Sequence, residues 1–199
     1  MVTTDHEYYL CLTKRSALQH AARRLFVRDL CRHFTGRVLD IGCGIGEFLR
    51  AYQGAVGLDR NQYVVAHCVS RGLPALTADA GSLPFAAGSF HGALLSNVLE
   101  HFVAPEVIVR EAVRVVEPSG RIVVTVPMEA GFAKDPTHVH MLTEPELRAL
   151  GDSAGLSVAS MYGYPVRWPL AGKVLYFTEL RCVFEKRSGN ASEQVSQTP

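Results

Sequence analysis

In the segment Val38-Leu39-Asp40-Ile41-Gly42-Cys43-Gly44-Ile45-Gly46-Glu47-Phe48, an apolar run carrying one carboxylate leads into three alternating glycines and a second carboxylate. Glycines in such a turn let the main chain come closer to a ligand than any side chain would allow. The two acids bear on what that ligand can be. Like charges in close contact repel, more strongly as water is excluded, so Asp40 and Glu47 disfavour a pyrophosphate and favour a ligand carrying a cationic amine. A dinucleotide-binding G-x-G-x-x-G turn would need glycine where Glu47 stands. Three histidines, His101, His138 and His140, titrate near neutrality and could take a proton from an acceptor. No third ligand at telling spacing accompanies them, so no metal is expected.

The rest of the composition limits the setting of that chemistry. The chain has 199 residues, 48% hydrophobic and 20% charged, with a formal net charge of +1. This is enough apolar material for one ordinary core and too little positive excess for a protein whose main partner is a phosphate backbone. Five cysteines, with no C-x-x-C pair, point to a reducing compartment, and a cytoplasmic location is expected. No apolar run reaches membrane-spanning length, and the opening residues lack the basic-then-apolar order of an export signal, so no membrane association is expected. The near-zero charge hides an asymmetry: Lys14, Arg15, Arg23, Arg24, Arg28, Arg32 and Arg37 face only Asp29 between positions 14 and 37. Such a run is either the solvated face of a helix or a means of drawing in an anionic substrate.

Periodicity supplies the elements that must position these groups. Helical spacing over 14–33 precedes apolar runs at 37–41, 55–59, 74–78, 90–95 and 121–126, with helices expected at 47–53, 61–71 and 106–116. Strands alternating with helices predict a mainly parallel sheet. A helix opened by Thr143-Glu144-Pro145-Glu146 precedes β-rich stretches at 156–162 and 174–184, which read as an antiparallel hairpin at the end of the sheet. The expected organisation is one domain over 1–187. It comprises a basic helix at 14–35, a ligand-binding core at 36–127 and a substrate-side loop with C-terminal strands at 128–187; a flexible tail follows at 188–199.

Four further segments follow the glycine turn in a recognisable order: Gly57-Leu58-Asp59-Arg60-Asn61, Ala78-Asp79-Ala80-Gly81, Ser96-Asn97-Val98-Leu99-Glu100-His101, and Arg114-Val115-Val116-Glu117-Pro118-Ser119-Gly120. Together they resemble the class I S-adenosylmethionine-dependent methyltransferases over about 36–155, closest in spelling to the small-molecule group called type 11. The resemblance implies a Rossmann-like, seven-stranded, mostly parallel α/β sheet with helices on both faces, and S-adenosyl-L-methionine as cofactor, leaving S-adenosyl-L-homocysteine. It places Asp40 near the methionine amine, with Gly42, Cys43, Gly44 and Gly46 beneath the cofactor. Asp59, with Arg60 beside it, would accept from the ribose hydroxyls, and a carboxylate suits that task because it offers two acceptor oxygens. Asp79 and the Ala80 amide would meet the adenine, and Ser96 and Asn97 would complete the cofactor site. Glu117 and Ser119 depart from the usual Lys and Gly of the last segment.

Methyl transfer needs an aligned nucleophile and, for a hydroxyl, a base. His138, at the histidine position of the family's H-x-x-x-x-T segment, and His101 are the candidate catalytic residues. Tyr8, Tyr9, Arg15, His140, Arg167 and Trp168 are the candidate substrate contacts, with Tyr164 as a further aromatic wall. The expected reaction is O-methylation of a small molecule. The alternatives are N-methylation, a cofactor-binding but inactive partner subunit, and a nicotinamide-dependent oxidoreductase. Nucleic acid is not the expected acceptor, because the Asn/Asp-Pro-Pro-Tyr/Phe element of base-amine methylation is replaced by Ser96-Asn97-Val98-Leu99. The sequence leaves the oligomeric state open.

Overall fold

The computed structural model describes residues 4–14, 16–166, 173, 175 and 178–187. Seven strands form one sheet: β1 (Val38–Ile41), β2 (Ala55–Asp59), β3 (Ala75–Thr77), β4 (Phe90–Ser96), β5 (Val116–Pro127), β6 (Leu156–Tyr164) and β7 (Glu179–Lys186). Their order across the sheet is β3-β2-β1-β4-β5-β7-β6. The first five run parallel, while β7 is antiparallel to both β5 and β6. The parallel sheet and the closing antiparallel pair agree with the sequence expectation.

The central strands are apolar on both faces because helices cover both. All four residues of β1 are buried, and side chains alternate across it. Leu39 and Ile41 join Leu95, Ile122 and Val124 on one side, under α5 (Pro105–Val115) and α7 (Glu144–Ser153). Val38 joins Leu94, Val123 and Val183 on the other, under α2 (Ala17–Cys31) and α3 (Glu47–Ala51). Each fully buried Leu, Ile or Val contributes about 1.5–3 kcal/mol relative to exposure, so these two layers fix the sheet. The same alternation sends Asp40 to the α2 face.

Register then levels the strand ends. Ile41 pairs with Leu58 on one side and Leu95 on the other. The following residues, Gly42, Asp59 and Ser96, therefore leave the sheet side by side at its carboxyl edge.

Three boundaries differ from the sequence reading. The helix expected over 14–33 is α2, shorter at both ends, and a helix that the sequence reading did not expect, α1 (Asp5–Thr13), precedes it; each has its own capping box: Thr4 with Glu7, and Ser16 with Gln19. Strand β5 begins at Val116, because residues expected to form a turn continue the strand through an irregular register opposite Phe90 and Gly92. Gly120 permits this: a Cβ there would lie 2.4 Å from Val116 Cγ1 and 2.5 Å from the His91 carbonyl oxygen. Strand β7 starts at Glu179 rather than 174. Helices α4 (Gln62–Val69) and α7 start where expected, the first capped by Asn61 Oδ1 accepting from Tyr63 N at 2.9 Å. The short α6 (Glu129–Phe132) follows β5. Among the described residues no helix is long and apolar enough to cross a membrane. The tail at 188–199 lies outside the described residues.

Candidate functional site

The glycine turn is tied to its neighbour before any ligand arrives. Gly42 N donates to Leu58 O at 2.7 Å, and Gly44 N donates to Asp59 Oδ2 at 3.0 Å. The other Asp59 oxygen accepts from Asn61 N at 2.9 Å. One carboxylate thus fixes the turn and the start of α4, and each oxygen keeps a lone pair for a further donor. Burial raises the Asp59 pKa against these N–H bonds. Gly42 has φ 77°, and a Cβ on it would lie 2.6 Å from Val98 Cγ2, so only glycine passes there.

A cleft of about 340 Å³ opens above this edge. It is lined by Gly42, Asp59, Arg60, Asp79, Ala80 and Asn97 from the expected cofactor set, together with Tyr8 and His101. Asn97 sits at φ 55°, a strained backbone for a residue with a side chain, held by its N–H to Thr125 O at 2.9 Å. Asp79 forms its own turn, accepting from Gly81 N at 2.6 Å.

The other expected cofactor residues do not line this cleft. The Cys43 side chain is buried in the core, where a Cβ on Gly57 would meet its sulfur at 2.7 Å. Gly46 faces Leu73 and Cys68 rather than the cleft, and Gly44 lies under Leu12 of α1. Ser96 Oγ faces Thr125 Oγ1 at 3.2 Å and the Arg23 guanidinium at 3.4 Å. Asp40, only 3% exposed, lies beneath the turn. Burial pushes its carboxyl up to about 7; Arg23 pulls it down, while Asp59 and Glu47 push it further up.

Arg23 was not singled out in the sequence because it is one of seven basic residues in its stretch. It comes from α2 to meet Glu47 Oε2 at 3.1 Å and Glu179 Oε2 at 3.8 Å. Behind it Arg181, fully buried, pairs with Asp29 Oδ2 at 2.6 Å and Glu179 Oε1 at 2.5 Å and stacks 3.7 Å from the Tyr164 ring centre. Tyr164 therefore holds an arginine in place rather than walling a pocket.

Of the expected substrate contacts, Tyr8 reaches the cleft. Tyr9 turns instead toward Tyr63 and His67 of α4. The ring of His140 lies 4.0 Å from Glu146 Oε1, outside the cleft lining. Arg15, Arg167 and Trp168 lie outside the described residues.

The two candidate bases meet at the cleft wall. His101 lines it beside Thr137, and its Nδ1 lies 3.1 Å from Thr137 Oγ1 and 3.3 Å from Thr137 O. His138 stands behind, its side chain 8% exposed, with Nδ1 2.9 Å from Phe132 O and ring centres 4.9 Å from His101. Burial lowers the His101 pKa, and His138 lowers it further. His138 Nε2 faces Glu100 Oε1 and Asp135 Oδ2, each at 3.9 Å. Of the two, His101 lines the cleft and His138 does not.

Comparison with known proteins places this geometry in context. Residues 39–124 match a family described as "Methyltransferase domain". The chain is 27% identical over 135 residues to a tRNA (carboxymethyluridine(34)-5-O)-methyltransferase of Xenopus tropicalis, covering 65% of this chain and 22% of that one. It is 29% identical over 133 residues to the malonyl-[acyl-carrier protein] O-methyltransferase of Alcanivorax borkumensis, covering 61% and 45%. The chain spans less than half the length of these curated relatives. In fold it is similar to a SAM-dependent methyltransferase of Archaeoglobus fulgidus, with TM-score 0.72 and 18% identity over 84% of this chain and 94% of that one.

Proposed function

We propose that the protein transfers a methyl group from S-adenosylmethionine to an oxygen of a small-molecule acceptor, a reading supported by the match of residues 39–124 to the methyltransferase-domain family model and by the similarity of the sheet to that of a SAM-dependent methyltransferase. The observation that carries this reading is the cleft at the carboxyl edge of the sheet, where Gly42, Asp59, Asp79 and Ala80 converge. The site fits the cofactor. A side chain at position 42 would clash with Val98, while Asp59 and Asp79 keep acceptor capacity for hydroxyl and amino donors.

When bound, S-adenosylmethionine supplies an electrophilic sulfonium methyl. Asp59 would hold the sugar hydroxyls, Asp79 and the Ala80 amide would orient the base, and Asp40 with Glu47, partly neutralised by Arg23, would favour the amine. Tyr8 of α1 and Val98 narrow the cleft and help exclude water. His101 is the group placed to receive an acceptor proton. Oxygen is favoured as the acceptor atom because two relatives carry O-methyltransferase names, one for a malonyl and one for a carboxymethyl compound. A carboxylate oxygen is already deprotonated at neutral pH, so such an acceptor would not need the base.

The test is formation of S-adenosylhomocysteine by the purified chain across a panel of carboxylic acids, alcohols and amines. Turnover with the oxygen acceptors is expected. Turnover confined to amines, or cofactor binding without any product, overturns the proposal.

One observation favours a second reading, in which the acceptor oxygen is carried on a nucleic acid. A separate groove of about 750 Å³ between α1, α2, α3 and α4 is lined by Arg24, Arg28, Arg50 and Arg71 with His20 and His67, against the single acid Glu47. Binding of transfer RNA that weakens steeply with salt, and falls further in Arg24→Ala with Arg28→Ala, would support it.

A further inference from the structure

Behind the cleft wall lies a buried carboxyl group that the methyl-transfer reading does not use. Glu100 is wholly buried, yet neither carboxylate oxygen has a hydrogen-bond partner among the described residues. An unsatisfied buried carboxylate is costly, and buried charges ordinarily pair or coordinate a metal. Two imidazoles and two acids, His101, His138, Glu100 and Asp135, surround or face the same space.

The histidines are oriented as metal ligands are. The Nδ1 of His138 lies 2.9 Å from Phe132 O, and that of His101 lies 3.3 Å from Thr137 O. A carbonyl can only accept, so in the tautomer that donates from Nδ1 to it, each ring presents a lone pair at Nε2. A carbonyl or carboxylate on the far nitrogen is the usual support of a metal-binding histidine. One ligand atom each from Glu100, His101 and His138 lie within 4.8 Å of one another, and Asp135 Oδ2 is 3.9 Å from His138 Nε2.

We propose that Glu100, His101 and His138 form a divalent-metal site in the wall of the cleft, with Asp135 beside it. Two imidazoles and one carboxylate suit zinc, which binds such ligands at about 2.0–2.2 Å and so holds them roughly 3.4 Å apart in a tetrahedron. The observed cluster needs to contract by about an ångström, within the reach of side-chain torsions. The sequence hides this set, because Glu100 and His101 are adjacent while His138 arrives from the loop after β5. Three protein ligands leave zinc an open position for water or an acceptor oxygen. Since His101 also lines the cleft, the ion would stand where an anionic acceptor arrives, with His101 then serving as its ligand rather than as the base, which a carboxylate acceptor does not need.

The test is metal uptake by the full chain, stripped with a chelator and titrated with Zn(II), then with Co(II) as a spectroscopic probe. One equivalent per chain is expected, with a visible Co(II) spectrum typical of a four- or five-coordinate site. Glu100→Gln keeps the side-chain volume and should weaken uptake more than about 100-fold, beyond what losing a supporting residue usually does. Should that variant fail to fold, His101→Ala, altered at the accessible cleft wall, should show the same loss. His91→Ala, on the opposite edge of the sheet, should bind as the parent does. Absence of uptake by the folded parent chain, or undiminished uptake in the folded Glu100 and His101 variants, overturns the site. Uptake is read without cofactor or acceptor, so its failure is distinct from failure of the methyl-transfer reading.

Discussion

Asp59 is committed to two backbone N–H groups, from Gly44 and Asn61, before it meets any ligand. Asp59→Ala should therefore weaken S-adenosylmethionine binding by about 1–3 kcal/mol for the lost ribose contacts, with a further loss from the loosened turn. Calorimetry checks it, and unchanged affinity would remove Asp59 from the site. Asp40 carries a different prediction, because burial raises its folded-state pKa from 3.8 to about 7. An acid whose pKa rises on folding binds more protons folded than unfolded, so stability declines as pH climbs between those two values. Of the groups facing it, Arg23 limits that decline, while Asp59 and Glu47 add to it. Asp40→Asn should match the parent near pH 4 and exceed it near pH 8, by up to several kcal/mol at about 1.4 kcal/mol per pK unit. Thermal melts at the two pH values measure it, and an equal difference at both would contradict the assignment. At this scale the sequence was informative about position, since Gly42, Asp59 and Asp79 do line one cleft. It was silent on Arg23 and Glu100, whose roles come from partners 24 and 38 positions away.

The elements were legible wherever one local signal dominated. Strands β1, β2 and β4 follow from apolar runs, and α7 from its Thr143 and Glu146 capping box. Helix α1 was not read from the sequence, because it buries no residue and so carries no apolar periodicity; its Thr4–Glu7 capping box was the local signal available. The early start of β5 was not legible, because it rests on the absence of a side chain at Gly120 where two strands come close. Gly120→Val should cost about 2 kcal/mol or more through overpacking against His91 and Val116, measured by urea unfolding. An unaltered midpoint would show that the strands can part. Helix α2 is held to the sheet partly by the Asp29 pair with Arg181. Asp29→Ala leaves a buried guanidinium with only Glu179, and a loss of about 3–5 kcal/mol is expected in the same measurement.

Across the whole molecule, one sheet edge gathers groups from well-separated parts of the chain. The parallel half of the sheet delivers Gly42, Asp59 and Asn97, and the antiparallel half delivers Glu179 and Arg181. The strand order places β7 between β5 and β6, so the last described strand fills the gap that its predecessor leaves open. During synthesis from the N-terminus, β6 has no sheet neighbour until β7 has emerged. Until then the β5 edge stays unpaired, Asp29 lacks the Arg181 guanidinium, and Arg23 has Glu47 but not yet Glu179. A chain of this protein that has not yet released β7 is therefore exposed along its β5 edge to pairing with other chains.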